Sequence, residues 1–156
     1  MIRRIQPDEV AIMADAGRCF YEEAKLPGVF DREVFIRRMR QVTEGQGVIF
    51  GAFDTDGETP LFKGALAAVV CESPFTGAKM AVEMFWYILP EYRGGFDGMR
   101  LIKQYDLWCS VNNVDLGAMI HLETAMDGPS AVALKALYEG MGFKLVETNY
   151  LKEYRK

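Results

Sequence analysis

A chain of 156 residues, half of them hydrophobic and 26% charged, carries enough apolar mass for one domain around one core, spanning residues 1–156. Its net charge of −4 gives no global basic field of the kind that nucleic-acid binding draws on. Three scattered cysteines, Cys19, Cys71 and Cys109, and the single histidine His121 argue against a disulfide framework and a multi-histidine metal centre, so no metal is expected.

Residues 2–5 read as a short first strand ended by Pro7, with Asp8 and Glu9 in the first turn of a helix. Val10, Met13, Ala14, Gly17, Phe20, Tyr21 and Ala24 recur at helical spacing through that segment, and Leu26-Pro27-Gly28 breaks it. A second helix starts near Asp31, buries Phe35, Met39 and Val42, and closes at Gly45 and Gly47. Residues 48–53 and 63–71 read as a strand pair joined by the turn Asp54-Thr55-Asp56-Gly57. Residues 80–89 follow as a central strand, 98–112 as a helix with Leu101, Ile102, Tyr105, Trp108 and Cys109 on one face, and 116–122 as another strand. Gly128-Pro129-Ser130 opens a last helix with Ala133, Ala136, Leu137 and Met141 on its apolar side, stopped by Gly142. Residues 143–147 and 150–154 read as two closing strands. The order β-α-α-β-β-β-α-β-α-β-β is that of an α/β domain whose mixed sheet is flanked by helices.

The stretch 80–102, MAVEMFWYILPEYRGGFDGMRLI, organises the rest. Its apolar strand holds one carboxylate, Glu83, and stops at Pro90, which has no N–H to give a ladder. Arg93, Gly94 and Gly95 then lead into a helix. A strand, a glycine-rich turn and a helix N-terminus bring free N–H groups and the positive end of a helix dipole together, a place for a phosphorylated cofactor.

Tyr92-Arg93-Gly94-Gly95-Phe96-Asp97-Gly98, led in by residues 87–92, resembles the Arg/Gln-x-x-Gly-x-Gly/Ala segment of the GCN5-related N-acetyltransferase superfamily. Leu137-Tyr138-Glu139-Gly140-Met141-Gly142-Phe143 resembles the Leu-Tyr-x-x-x-Gly-Phe end of that family's fourth helix. The resemblance covers essentially the whole chain. It implies an acyl-CoA N-acyltransferase fold, a mixed and mostly antiparallel sheet whose fourth and fifth strands splay apart to admit the pantetheine arm. It also implies acetyl-CoA or another acyl-CoA as donor and, most often, a primary amine as acceptor. On this reading the arm meets the strand edge at Tyr87 and Ile88, the pyrophosphate meets the turn at Arg93, Gly94, Gly95, Phe96, Asp97 and Gly98, and Ser130 contributes from the last helix. The chain departs from the pattern at Phe96, where the motif has a glycine, at Asp97, which adds a carboxylate, and at Ala131, where the family often has asparagine.

Tyr138 matches the family's general acid, which protonates the departing thiolate. Glu83 is the base candidate, because a carboxylate in an apolar strand is costly without work or partners. Strict alternation puts Glu83 on the face of Phe85, Tyr87 and Leu89, opposite Val82, Met84, Trp86 and Ile88. His121 and Glu123 are alternatives for the same role. Lys103, Arg100 and Lys135 are candidates for the CoA 3′-phosphate, and Trp86 and Trp108 read as core. On the acceptor side, Tyr21, Glu22, Glu23, Phe30, Asn149 and Tyr150 are the residues on offer. A catalytically silent CoA-binding or regulatory module is the alternative function. A toxin acting on charged tRNA has only the Arg37, Arg38, Arg40 cluster in its favour and the acidic balance against it. A homodimer paired through residues 150–154 is a further expectation. With no apolar run near the ~20 residues of a bilayer span and no secretory signal in MIRRIQPDEV, a cytoplasmic, non-membrane protein is expected.

Overall fold

The computed structural model describes residues 1–120 and 129–146, with residues 129–131 described by their main chain alone. Its sheet grows from the Ala- and Val-rich segment Leu61–Glu72 (β3), whose small residues let flanking strands and helices approach closely. Val48–Asp54 (β2) pairs with it on one side and Lys79–Ile88 (β4) on the other, both antiparallel. Ile2–Arg4 (β1) adds an antiparallel edge to β2, and Leu116–Ala118 (β5) joins β4 in parallel. The strand order is therefore β1-β2-β3-β4-β5. A parallel step between neighbouring strands needs a crossover, and the helix Asp97–Val111 (α3) supplies it.

Helices cover both faces of this mixed α/β sheet. Ala14–Glu23 (α1) and Arg32–Glu44 (α2) lie on one face, where Met13, Ile36, Met39 and Val42 meet Ile49, Phe53, Phe85 and Tyr87. On the other face lie α3 and Pro129–Gly140 (α4), with Leu101, Ile102, Tyr105, Leu134 and Tyr138 against Val48, Phe50, Leu66 and Ala81. No described helix is long and apolar enough to cross a membrane.

Asp31 caps α2 as its position suggests, Oδ1 accepting the Val34 N–H at 3.0 Å. The first helix differs from the reading that begins it at Asp8. A 3₁₀ turn, Val10–Met13, comes first and α1 starts only at Ala14. Glu9, expected inside the helix, is instead clamped by Arg3 at 2.7 and 2.8 Å and by the Gln6 N–H at 2.9 Å. Residues 143–146 form no strand. The Phe143 N–H is used to close α4, donating to the Tyr138 carbonyl at 3.0 Å beyond Gly142 at φ +88°. The proposed dimerising strand, 150–154, lies outside the described residues.

The largest departure from simple alternation is inside β4. Ala67 opposes Phe85 and Ala68 opposes Glu83, so Met84 is an extra residue, a β-bulge. Phe85 and Tyr87 turn to the α1/α2 face as alternation predicts. Glu83 does not accompany them. The bulge shifts the phase, and its carboxylate meets groups on the α3/α4 side.

Candidate active site

Among the described residues, pairing between β4 and β5 runs over Met80↔Leu116, Ala81↔Gly117 and Val82↔Ala118. Where the next rungs would be, side chains take over. Glu83 Oε2 accepts the Ile120 N–H at 3.0 Å, and the Tyr138 hydroxyl donates to the Ile120 carbonyl at 3.3 Å. The main chain of one residue, Ile120, thus joins the two residues singled out as base and acid. Just below the split, the Tyr105 hydroxyl lies 2.8 Å from the Ala81 carbonyl and 3.4 Å from that of Ala118.

Glu83 is 4% exposed. Burial pushes its carboxyl up to about 7, against a smaller downward pull from the Ile120 N–H. Burial also raises Tyr138, and the nearby Glu83 raises it further, so this phenol keeps its proton across the neutral range. The site therefore holds a carboxylate poised to accept a proton near neutrality and a phenol that holds one.

The turn after β4 supplies the second half of the site. Within α3 the Arg100 N–H is the first to reach a helical acceptor, Phe96 O at 2.9 Å. Ahead of it, the N–H groups of residues 94–99 have no backbone acceptor among the described residues. A Cβ built at Gly94 or Gly95 would meet nothing within 4 Å, which leaves an open cradle beside those groups. Gly94 has φ +89°, a conformation that favours glycine. Gly98 serves packing instead, since a Cβ there would lie 3.3 Å from Trp86 Cζ2.

Asp97 turns its charge away from the open side of the turn. Its carboxylate is 8% exposed and turned inward, 2.7 Å from Lys63 Nζ and 3.4 Å from Arg100 Nη1. The hydrogen bond from Lys63 holds it below the usual carboxylate range. Phe96, 69% exposed, caps α3 without crowding the cradle.

Arg93 holds the turn together. Its Nε donates to the Ile88 carbonyl at 2.9 Å, its Nη2 to Glu23 at 2.8 Å, and its guanidinium stacks 4.8 Å over the Tyr87 ring. The Tyr87 hydroxyl also donates to Glu23. Tyr87 and Glu23 thereby tie the end of α1 to the glycine-rich turn. Neither the Tyr87 side chain nor the Arg93 guanidinium points to the Glu83–Tyr138 pair, whereas Ile88 packs on the α3/α4 side.

Of the other candidates, Arg100 is committed to Asp97, and Lys135 lies 3.8 Å from Glu139. On the acceptor side Glu22 pairs with Arg18 at 3.4 Å, and Phe30 sits between Tyr21 and Phe35 with ring centroids 5.9 and 5.7 Å away. Ser130 is the second residue of α4, its side chain outside the described part. His121, Glu123, Asn149 and Tyr150 lie outside the described residues. Trp86 is only partly buried, beside Tyr138 at 6.3 Å between centroids. Lys63 and the hydroxyl of Tyr105 escape a reading of the sequence. A tyrosine on an apolar helix face signals the second, because a buried phenol seeks a partner.

No family model and no curated protein matches the chain. Solved structures do. An aminoglycoside acetyltransferase from an uncultured soil metagenomic sample superposes with a TM-score of 0.70 at 16% identity, over 99% of this chain and 98% of that one. The ribosomal-protein-alanine N-acetyltransferase of Brucella melitensis biovar Abortus 2308 gives 0.68 at 15% identity, over 99% of each chain. An acetyltransferase of Trypanosoma brucei gives 0.67 at 12%, again over 99% of each. The likeness is one of fold from end to end: the chain has the fold of the GCN5-related N-acetyltransferases.

Proposed function

We propose that this protein is an acetyl-CoA-dependent N-acetyltransferase acting on a primary amine of a small molecule or protein. The observation that carries the reading is the buried Glu83, raised to about 7, joined through the main-chain N–H and C=O of Ile120 to Tyr138 at the point where β4 and β5 part. The stretch of β4 beyond Val82, with no β5 partner among the described residues, offers the pantetheine arm an edge to lie along. The free N–H groups of residues 94–99 suit its pyrophosphate. Glu83 takes a proton from the acceptor ammonium, and the freed nitrogen attacks the thioester carbonyl carbon. As the C–S bond breaks, the thiolate leaves with the Tyr138 proton, and the nitrogen gives its second proton to the phenolate so formed, leaving the neutral amide. The glycine-lined cradle and the inward-turned Asp97 support the donor assignment.

A CoA-binding module without turnover is the other reading. It is favoured by the Tyr138 hydroxyl, which is engaged with the Ile120 carbonyl rather than free. Turnover decides between the two. Acetyl-CoA with a panel of primary amines is expected to give a kcat/KM that rises through about pH 7 as Glu83 ionises. Glu83→Gln is expected to lower it by about a hundredfold. Thermal stabilisation by acetyl-CoA with no turnover of any amine selects the silent module. Absence of stabilisation at millimolar acetyl-CoA overturns both readings.

A further inference from the structure

Tyr105 is the bulkiest of the fully buried side chains. Phenylalanine would fill the same space without bringing a hydroxyl into the core, where an unbonded one is costly. The hydroxyl sits at the fork of the sheet, 2.8 Å from the Ala81 carbonyl of β4 and 3.4 Å from the Ala118 carbonyl of β5. Ala118 belongs to the last rung. Two residues further on, the Ile120 N–H meets Glu83 at 3.0 Å. Among the described residues no strand pairing holds Ile120, so beyond the Tyr138 hydroxyl on its carbonyl its position follows from where Ala118 is held.

We propose that Tyr105 is a positioning residue for Glu83: by fastening Ala81 and Ala118 at the fork, its hydroxyl keeps the Ile120 N–H on the Glu83 carboxylate. The inference rests on the reading of Glu83 as the base. It adds that the base is aligned from α3, the helix that begins at the cofactor turn. Among the described residues the titratable groups facing Glu83 are the phenols of Tyr105 on α3 and Tyr138 on α4, with the Cys109 thiol beside Tyr105; β3 presents only Ala68. All three are raised and stay neutral through pH 7, so a proton exchanged there belongs to Glu83.

The test is the titration of the Glu83 carboxyl carbon by NMR in the unliganded protein, assigned by Glu83→Gln, for the wild type and Tyr105→Phe. The wild-type midpoint is expected near 7. Losing the Ile120 N–H is expected to raise the midpoint in Tyr105→Phe by about one unit. The ascending limb of kcat/KM should move with it, so that activity lost at pH 7 returns at pH 9. A folded variant whose midpoint stays put overturns the proposal. Should Tyr105→Phe not fold, Tyr105→Met, which fills the space flexibly without a hydroxyl, takes its place under the same criterion. If the wild type turns over no amine, the acetyltransferase reading fails, and the carboxyl titration, which needs no turnover, registers that failure separately.

Discussion

The two edges of β4 are treated differently. Toward β3 the strand is paired over nine positions, from Gly64↔Ile88 to Glu72↔Lys79. Toward β5 it is paired over three among the described residues. The closed edge is held by backbone at close quarters: Gly64 has no side chain, and Tyr87 O and Ile88 crowd the space where one would be. The open edge is held by side chains, Tyr105 below the fork and Glu83 and Tyr138 above it. A ladder of main-chain bonds gives rigidity but leaves no donor or acceptor for anything else. The candidate chemistry stands where the ladder ends and functional groups carry the contacts instead.

The closed edge should break hardest. Gly64→Ala would set a Cβ 2.3 Å from Tyr87 O, a clash with backbone that rotamer changes cannot relieve. A loss of about 3 kcal/mol or more is expected in urea denaturation. Unchanged stability would mean that the β3–β4 pairing yields easily.

The open edge should show itself as pH dependence. The folded-state value of Glu83, about 7, lies above its ordinary 4.5. Its contribution is fully present below pH 4.5 and is lost as pH rises to about 7, because the unfolded chain ionises first. That difference is worth about 3 kcal/mol. The wild type should therefore be less stable at pH 8 than at pH 5 by about that amount, and Glu83→Gln, which can still accept the Ile120 N–H, should flatten the curve. A wild-type curve already flat over this range would remove the burial account of Glu83. The ionisation proposed to drive catalysis is thus the one that weakens the fold.

The smallest effect is expected at the junction between the two edges, where Asp97 of α3 reaches back to Lys63 of β3. Asp97→Asn keeps the shape and removes the charge. A loss of about 1–2 kcal/mol is expected, below that of a fully buried pair because both groups retain some contact with water. It should be visible as a lower urea midpoint at pH 7, and an unshifted midpoint would show the pair to be dispensable.

Local signals in the sequence located most of the elements. Asp31 and Gly45 bracket α2, Pro90 ends the central strand, and Gly142 ends α4. The anion-suited turn was legible because a strand, glycines and a helix follow one another within a few residues. Long-range partners were not. Nothing near Asp97 announces Lys63, which lies in another strand. Nothing near Glu9 announces that Arg3 will hold it out of a helix. The face of Glu83 was misread for a different reason: alternation is a count, and a bulge adds one to the count without leaving a mark in composition. Phe143 looks like the start of a strand until its N–H is found closing α4.

Met84 has a consequence in the language of heredity. It is an ordinary methionine, 42% exposed, with no candidate chemistry of its own. Deleting its single codon would set Glu83 directly before Phe85, and the unbroken two-residue rhythm of β4 would then hold the two on opposite faces, as the bulge holds them now. The carboxylate would keep Ala68 as its neighbour across β3 and would still face Ile120. A reading frame three nucleotides shorter would spell nearly the same protein with a straighter β4 and its base on the same side.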